Sequence, residues 1–140
     1  MLLIPQINFK GDLLLDAYSF SSEEINSVTH VLDKSGIRII NERLTKDKKG
    51  RYGLRFLIIA LEIMKLERTL KLRFVGREKS TRVSFDPSGG GSSYKCSRID
   101  TPPNNCQTIF ADDDKEAAVK CALVANSNNW LGGVPFPGQC

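Results

Sequence analysis

The first part of the chain combines short extended segments with one amphipathic stretch. Residues 2–9 and 12–20 have the composition of two β-strands, and Lys10-Gly11 between them has turn chemistry. Residues 37–44 are again rich in strand-forming residues, and they lead into a polar loop, 45–51, that contains a glycine. The pattern therefore predicts extended structure on both sides of a different element.

That element is indicated by a helical repeat of apolar residues. Ser21 and Glu24 stand three positions apart, which is the spacing of an N-terminal capping box. Gly36 can adopt the left-handed conformation that commonly ends a helix. The sequence therefore predicts a helix over Ser22–Lys34. Its apolar face contains Ile25, Val28, Val31 and Leu32.

The middle of the chain holds one ambiguous segment and one clear hairpin. Residues 52–66 fit a helix by the spacing of their polar positions, but the apolar run 56–61 equally suits a buried strand. We favour the helix. Residues 70–75 and 82–85 alternate around a glycine-containing turn, which predicts a hairpin with one apolar and one basic face.

The last part of the chain opens with a Pro-, Ser- and Gly-rich segment. This segment, 86–93, predicts a flexible linker or a long loop. Three aspartates, 112–114, then open a predicted helix that runs through Ala125, with acidic residues at the end that the helix dipole favours. Cys121 is expected to point inward from this helix. The residues after it are rich in Asn, Gly and Pro, and we expect them to be irregular.

Charge and length divide these elements into a basic body and a nearly neutral tail. The chain has 140 residues, which fits one domain. Residues 1–86 carry 16 Lys and Arg against 11 Asp and Glu, whereas residues 87–140 carry 4 against 5. We predict a single domain over 1–140, with a Gly/Ser-rich loop at 87–93 and a cysteine-bearing tail at 94–140. The predicted fold class is α+β: an antiparallel sheet packed against one or two helices, with an irregular, disulfide-pinned C-terminal segment that carries a short helix.

All four cysteines, Cys96, Cys106, Cys121 and Cys140, lie in the tail. Structural zinc sites usually contain closely spaced cysteine pairs, and these cysteines are far apart, so we predict no metal site. Four cysteines in a loop-rich segment favour two disulfides. The simplest pairing is Cys96–Cys106 with Cys121–Cys140, because it closes the Pro-Pro loop and ties the last helix to the C-terminus. Paired cysteines predict a secreted or periplasmic protein, and four free thiols predict a cytoplasmic one.

Two clusters of positive charge are the main candidates for a binding surface. The hairpin pattern is expected to gather Lys71, Arg73 and Arg82 on one face. Such a surface suits an acidic protein, nucleic acid or anionic lipid, but base-stacking sheets interleave aromatic residues among the charges, which is not the pattern here; Tyr52 is the only aromatic residue near the cluster at 46–51. A charged face that merely keeps the protein soluble is the alternative. The first cluster contains Lys71, Arg73, Arg77, Lys79 and Arg82, and the second contains Lys46, Lys48, Lys49 and Arg51.

Candidate catalytic residues are few. His30 is the single histidine of the chain, and it sits beside the apolar face of the predicted helix rather than within it. A ribonuclease mechanism could pair His30 with a carboxylate such as Glu42, but nothing in the spacing requires it. Trp130, the single tryptophan, could anchor a partner from its Asn-rich loop, although a core position in the tail is the simpler expectation.

These patterns narrow the function without selecting one. The leading hypothesis is a small, soluble, non-enzymatic binding module, without a cofactor, whose basic hairpin face engages an acidic protein or a nucleic acid. A small secreted ribonuclease-type toxin or effector is the main alternative, and a structural domain without a ligand is the third hypothesis. The longest apolar stretch is far shorter than the ~20 residues that span a bilayer, so we expect no transmembrane segment. The sequence carries no signal for oligomeric state.

Overall fold

The computed structural model describes residues 1–41, 43–77, 80–87, 89–99 and 105–140. These residues form antiparallel sheets packed with helices, which confirms the α+β class. The helices are α1 (Ser22–Lys34), α2 (Ala60–Leu70) and α3 (Asp114–Ser127). The strands are β1 (Leu2–Ile7), β2 (Leu13–Ser19), β3 (Ile40–Asn41), β4 (Thr45–Lys46), β5 (Tyr52–Ile58), β6 (Leu72–Val75), β7 (Arg82–Phe85), β8 (Ser92–Arg98), β9 (Cys106–Ala111) and β10 (Gly133–Pro137).

The large sheet is built around β2 and β5, which pair along their full length. Its strand order is β1-β2-β5-β3, and β4 also pairs with β5. Because alternate residues share a face, Leu15 lies opposite Phe56 and Leu13 opposite Ile58, with all four side chains buried. This inner face packs toward α1 and α3. The buried residues beneath it, called the body cluster below, include Leu3, Leu13, Leu15, Ile25, Leu32, Phe56, Ile58, Leu66, Leu70 and Leu123.

Helix α1 has the predicted bounds but not the predicted capping box. Ser21 occupies the N-cap position, yet its side chain makes no capping hydrogen bond. Instead, the hydroxyl of Ser19 at the end of β2 donates to Glu24 Oε1 at 2.6 Å and accepts from the backbone N–H of Ser21 at 3.0 Å. Ser19, at the end of β2, therefore supplies the polar contacts at the start of α1. Gly36 follows the helix with φ +70°, as predicted.

The favoured helix over residues 52–66 is wrong in its first half. Tyr52–Ile58 is the strand β5, and the helix begins only at Ala60. Because β5 pairs with β2 on one edge and with β3 and β4 on the other, its backbone groups find partners on both sides. The partner that pairs along the whole of β5 is β2, which is remote in sequence, so local spacing cannot reveal it. The polar positions whose spacing suggested one helix belong to two elements, because Arg55 lies on β5 and the others lie on α2.

The β6–β7 hairpin has the two predicted faces. Leu72 and Phe74 are buried, while Arg73 and Arg82 are exposed on the other side. Leu70, which we expected in the strand, instead belongs to the last turn of α2. The apolar face of the β6–β7 hairpin closes one end of the body cluster.

The tail forms a second, smaller sheet on the far side of α3. Its strand order is β10-β8-β9. The chain end is thus more regular than predicted, and Pro135 and Pro137 fit because β10 lies at a sheet edge. Helix α3 is buried on opposite sides: Leu123 faces the body cluster, while Val124 faces the small sheet. The tail cluster, as this second group is called below, contains Tyr94, Cys96, Ile109, Ala111, Ala117, Cys121 and Val124.

All four cysteines are paired, but the predicted connectivity is wrong. The disulfides are Cys96–Cys121 and Cys106–Cys140. In the β8–β9 pair, Cys96 lies opposite Gln107, one register position away from Cys106. Neighbouring positions point to opposite faces, so Cys96 faces α3 while Cys106 faces away from it. The strand register therefore prevents a bond between Cys96 and Cys106, the two cysteines closest in sequence. Each of them bonds instead to a cysteine on its own side of the sheet.

Among the described residues, no helix has both the length and the apolar character needed to cross a membrane.

Candidate anion-binding surfaces

Two basic surfaces lie at opposite ends of the large sheet. Strand β5 runs from Tyr52, beside the β4–β5 turn, to Ile58, just before α2. At ~3.3 Å per residue its length separates the two ends by about 20 Å. The hairpin surface is defined by Arg68, Lys71, Arg73, Arg77 and Arg82. The turn surface is defined by Lys46, Lys48, Lys49 and Arg51, with Tyr18, Phe20, Tyr52 and Leu131 beside them.

The hairpin surface takes its geometry from the strand register. Arg73 pairs with Ser84 and Arg82 with Val75, so both arginines stand on the outer face as diagonal neighbours. Thr81, just before β7, ties the hairpin to the large sheet, because its hydroxyl accepts the backbone N–H of Ile7 at 2.9 Å. The arginines are therefore displayed on an anchored hairpin rather than on a free loop.

Lys71 differs from the prediction, which put it on the strand face with Arg73. It ends α2 in a left-handed conformation, φ +53°. Its side chain runs along the loop after β7, where Nζ is 3.1 Å from the position that a Cβ on Gly90 would take. Lys71 therefore borders the surface instead of lying on the strand. Lys79, which was predicted with it, falls outside the described residues.

Three of the five cations of the hairpin surface, Arg68, Lys71 and Arg73, line a groove of about 590 Å³ between α2 and the hairpin. Within the described part of the chain, none of the five has an acidic partner at ion-pair distance, in contrast to Arg55, whose Nε lies 2.7 Å from Asp16 Oδ1. The hairpin surface thus has five cations outside the ion pairs of the described residues, and two carboxylates, Glu67 and Asp86, lie in the lining of the same groove. The groove is lined by Met64, Glu67, Arg68, Lys71, Leu72, Arg73, Ser84, Phe85, Asp86 and Pro87.

The turn surface is organised by Asp47. One carboxylate oxygen of Asp47 accepts the backbone N–H groups of Lys49 and Arg51, each at 2.9 Å, and the other lies 3.3 Å from Arg51 Nε. The backbone N–H of Arg51 is the main reason that the pKa of Asp47 is lowered. Gly50 closes the turn at φ +86°. The cations are therefore held on a structured turn.

The fold brings aromatic rings to this turn that sequence spacing did not reveal. The Arg51 guanidinium lies 4.8 Å from the centre of the Tyr18 ring, and Lys46 Nζ lies 5.1 Å from that of Tyr52. Tyr18 reaches this place because it stands opposite Gly53 in the β2–β5 pair, where no side chain opposes it. Phe20, just beyond β2, is 65% exposed. We predicted only Tyr52 near this cluster.

Two neighbouring grooves, of about 510 and 460 Å³, border the turn surface. Both are lined by Phe20, Arg51 and Leu131. Leu131 is 75% exposed, and the second groove also contains Ile99, which is 51% exposed. Exposed apolar side chains therefore converge beside the cations from three separate loops.

A buried polar cluster at the start of α3 was not predicted. Lys120 Nζ donates to the Phe110 carbonyl at 2.8 Å and lies 3.5 Å from Glu116 Oε1, and both side chains are almost fully buried. Burial lowers the pKa of Lys120 despite the attraction of Glu116. Lys34 of α1 approaches the same carboxylate at 3.4 Å. The i,i+4 spacing of Glu116 and Lys120 was the only sequence signal for this cluster.

The remaining predicted site residues are dispersed. His30 is exposed on α1, and its predicted partner Glu42 lies outside the described residues, so the structure does not test their pairing. Trp130 is half-buried against the tail cluster, which agrees with the expected core position. Within the described residues, no group of His, Cys, Asp and Glu side chains could hold a metal ion.

Comparison with known proteins gives no information on the function of these surfaces. No protein-family model, no curated protein and no solved structure matches the chain.

Proposed function

We propose that the protein is a non-enzymatic binding module that engages an acidic protein partner through the hairpin surface. The observation that carries the proposal is the group of five cations without an acidic partner among the described residues. Unpaired positive charge on one face steers an acidic partner toward it and raises the association rate. Because disulfides persist in oxidising compartments, this partner would be met outside the cytoplasm, in a secreted or periplasmic setting.

The groove beside the cations favours a protein segment over a nucleic acid. Met64, Leu72 and Pro87 give it an apolar wall that suits an aliphatic anchor side chain. Its one aromatic residue in the described lining, Phe85, is half-buried against both clusters, which leaves less of its ring available for base stacking. An apolar anchor flanked by carboxylates would match both features of the surface.

A charge-matched comparison of two variants tests the proposal. The first variant combines Arg68→Ala, Arg73→Ala and Arg82→Ala; Lys71 is retained because its backbone is left-handed. The second combines Lys46→Ala, Lys48→Ala and Lys49→Ala, which removes the same charge at the other end of the sheet. The probe is a labelled peptide of repeated Glu-Glu-Leu units, titrated by fluorescence anisotropy between about 50 and 200 mM salt.

The hairpin variant should bind this peptide about tenfold more weakly than the parent and with a shallower dependence on salt. The turn variant should bind like the parent, because it leaves the proposed surface intact. Equal weakening in the two variants would mean that only net charge matters, and it would refute a specific hairpin site. Absence of peptide binding by the parent would favour a structural domain without a ligand.

A further inference from the structure

The turn surface has the two components that single-stranded nucleic acid requires, and it lies at the end of the sheet away from the proposed protein-binding face. Proteins that hold single strands combine a positively charged groove with aromatic side chains on which bases stack. At the turn surface, Lys48, Lys49 and Arg51 supply charge, and Phe20 supplies an open ring between two grooves.

One of the cations of the surface, Arg51, is held in place by contacts within the protein. Arg51 is fixed from two sides, by the Asp47 carboxylate and by the face of Tyr18. Lys48 and Lys49 sit on the same turn, are exposed, and have no ion-pair partner among the residues that the structure describes. A strand following the groove would therefore meet two free cations and one oriented guanidinium.

The exposed ring of Phe20 is the reason to expect a single-stranded rather than a double-stranded nucleic acid. Phe20 is 65% exposed and borders both grooves, so part of its ring is accessible to a base that lies in either groove. A duplex keeps the faces of its bases stacked on one another, so it cannot use this ring without local opening. Leu131, also common to both grooves, can pack against the same base or its sugar.

We infer that the turn surface is a binding groove for single-stranded nucleic acid, in which Phe20 stacks on a base while Lys48, Lys49 and Arg51 hold the phosphates. The recognition is independent of base sequence, because stacking and phosphate contacts are available to every nucleotide. This site is separate from the hairpin surface, so each of the two binding activities can be lost without the other.

The experiment uses the full chain with both disulfides intact. Fluorescence anisotropy measures binding of labelled oligo(U) and oligo(dT) of about ten nucleotides, a duplex of the same length and the Glu-Glu-Leu peptide. Phe20→Tyr keeps a stacking ring, Phe20→Leu keeps only the apolar bulk, and Lys48→Ala with Lys49→Ala removes charge alone. Urea unfolding of each variant checks that the fold is retained.

We expect single strands to bind more tightly than the duplex. Phe20→Leu should weaken single-strand binding about tenfold without changing its salt slope, and Phe20→Tyr should restore it. The double lysine variant should reduce the slope of log affinity against log salt by about 1.4, for two phosphates on a single strand. Binding of both oligonucleotides supports the inference as stated, and binding of oligo(U) alone supports it with RNA as the ligand.

Three results would overturn the inference. The first is equal binding of the duplex and the single strands, which would indicate a charged surface without stacking. The second is parent-like binding by Phe20→Leu. The third is weakening of oligonucleotide binding by the hairpin triple variant as strong as that by the lysine variant, which would move the nucleic acid to the other surface. Weakened peptide binding in that hairpin variant bears only on the proposed protein partner, so the two proposals fail separately.

Discussion

The body cluster and the tail cluster share helix α3 but are built from different materials. The body cluster is filled by large side chains such as Phe56, Leu3, Leu13 and Ile25, all almost fully buried, and it contains no cysteine. The tail cluster has fewer buried residues: beside Tyr94, Ile109 and Val124 it contains two alanines and the Cys96–Cys121 disulfide. Each buried Å² of apolar surface contributes roughly 25 cal/mol, so the tail cluster receives less stabilisation from burial.

The difference between the two clusters indicates that a disulfide contributes most to stability in the tail cluster. Cys96–Cys121 joins the central strand of the small sheet to α3 through the middle of the tail cluster. Cys106–Cys140 joins an outer position of the same sheet to the residues beyond β10. The disulfides thus reinforce the part of the molecule with the smaller core, while the body cluster contains no disulfide.

The largest expected effect is the loss of the buried disulfide. Cys96→Ala with Cys121→Ala should lower the free energy of unfolding by about 4.5 kcal/mol, since the chain-entropy term for a loop of this length is about 3.5 kcal/mol and buried packing is also lost. For the longer Cys106–Cys140 loop the chain-entropy term is about 3.8 kcal/mol, and Cys106→Ala with Cys140→Ala should cost no more than that, because this pair is more exposed and little buried packing is lost with it. Urea unfolding measures both. An equal cost for the two pairs would remove the distinction between a packed and a peripheral cross-link.

A second test separates the clusters through neighbouring residues of α3. Leu123→Ala should cost about 3 kcal/mol in the body cluster, and Val124→Ala about 2 kcal/mol in the tail cluster. Because the two side chains pack in different clusters, the double variant should cost the sum within about 0.5 kcal/mol. A coupling above about 1 kcal/mol in urea unfolding would show that the two clusters behave as one.

The sequence predicted the features that depend on local signals. The bounds of α1 followed from apolar spacing and Gly36, and the two faces of the β6–β7 hairpin followed from strict alternation. That the cysteines would be paired followed from their confinement to the tail. The division into a single domain over 1–140 stays a prediction.

The features that failed depend on register and on distant partners. Which cysteines pair was decided by the β8–β9 register, and no sequence spacing reports that Cys96 faces away from Cys106. The strand β5 was mistaken for a helix because β2, the partner along its whole length, lies elsewhere in the chain. Likewise, Tyr18 meets Arg51 only because β2 and β5 are neighbours, so of the aromatic rings at the turn surface the sequence revealed only Tyr52.

The third test concerns the polar link between the two regions. Lys120→Met should cost about 2 kcal/mol, because it leaves the Phe110 carbonyl and part of the Glu116 carboxylate without a partner in a buried place. Lys34 still faces Glu116, which keeps the loss below that of a fully isolated buried charge. Adding Glu116→Gln should recover part of the stability, as measured by urea unfolding. If the cost of the double variant equalled the sum of the two single costs, the pair would not be acting as a coupled unit.

The smallest effect expected is at the N-cap of α3, where a change should reach both clusters. Asp113 accepts the backbone N–H of Glu116 at 2.8 Å, and this bond, helped by Lys34, lowers the pKa of Asp113 below its ordinary 3.8. Since the folded-state pKa is the lower one, the cap is fully stabilising above pH 3.8 and is lost as pH falls through the folded value. Asp113→Ala should therefore cost about 1 kcal/mol at neutral pH and progressively less below pH 3.8.

Asp113→Asn is the matched control, because asparagine caps a helix without titrating. It should stay close to the parent at neutral pH and lose less stability in acid. Amide hydrogen exchange then tests the comparison itself: since α3 is shared, Asp113→Ala should lower protection in β2 of the large sheet and in β8 of the small sheet together. Loss confined to β8 would mean that the body cluster holds without the N-terminal turn of α3, and that the two regions are less dependent on their common helix than its burial implies.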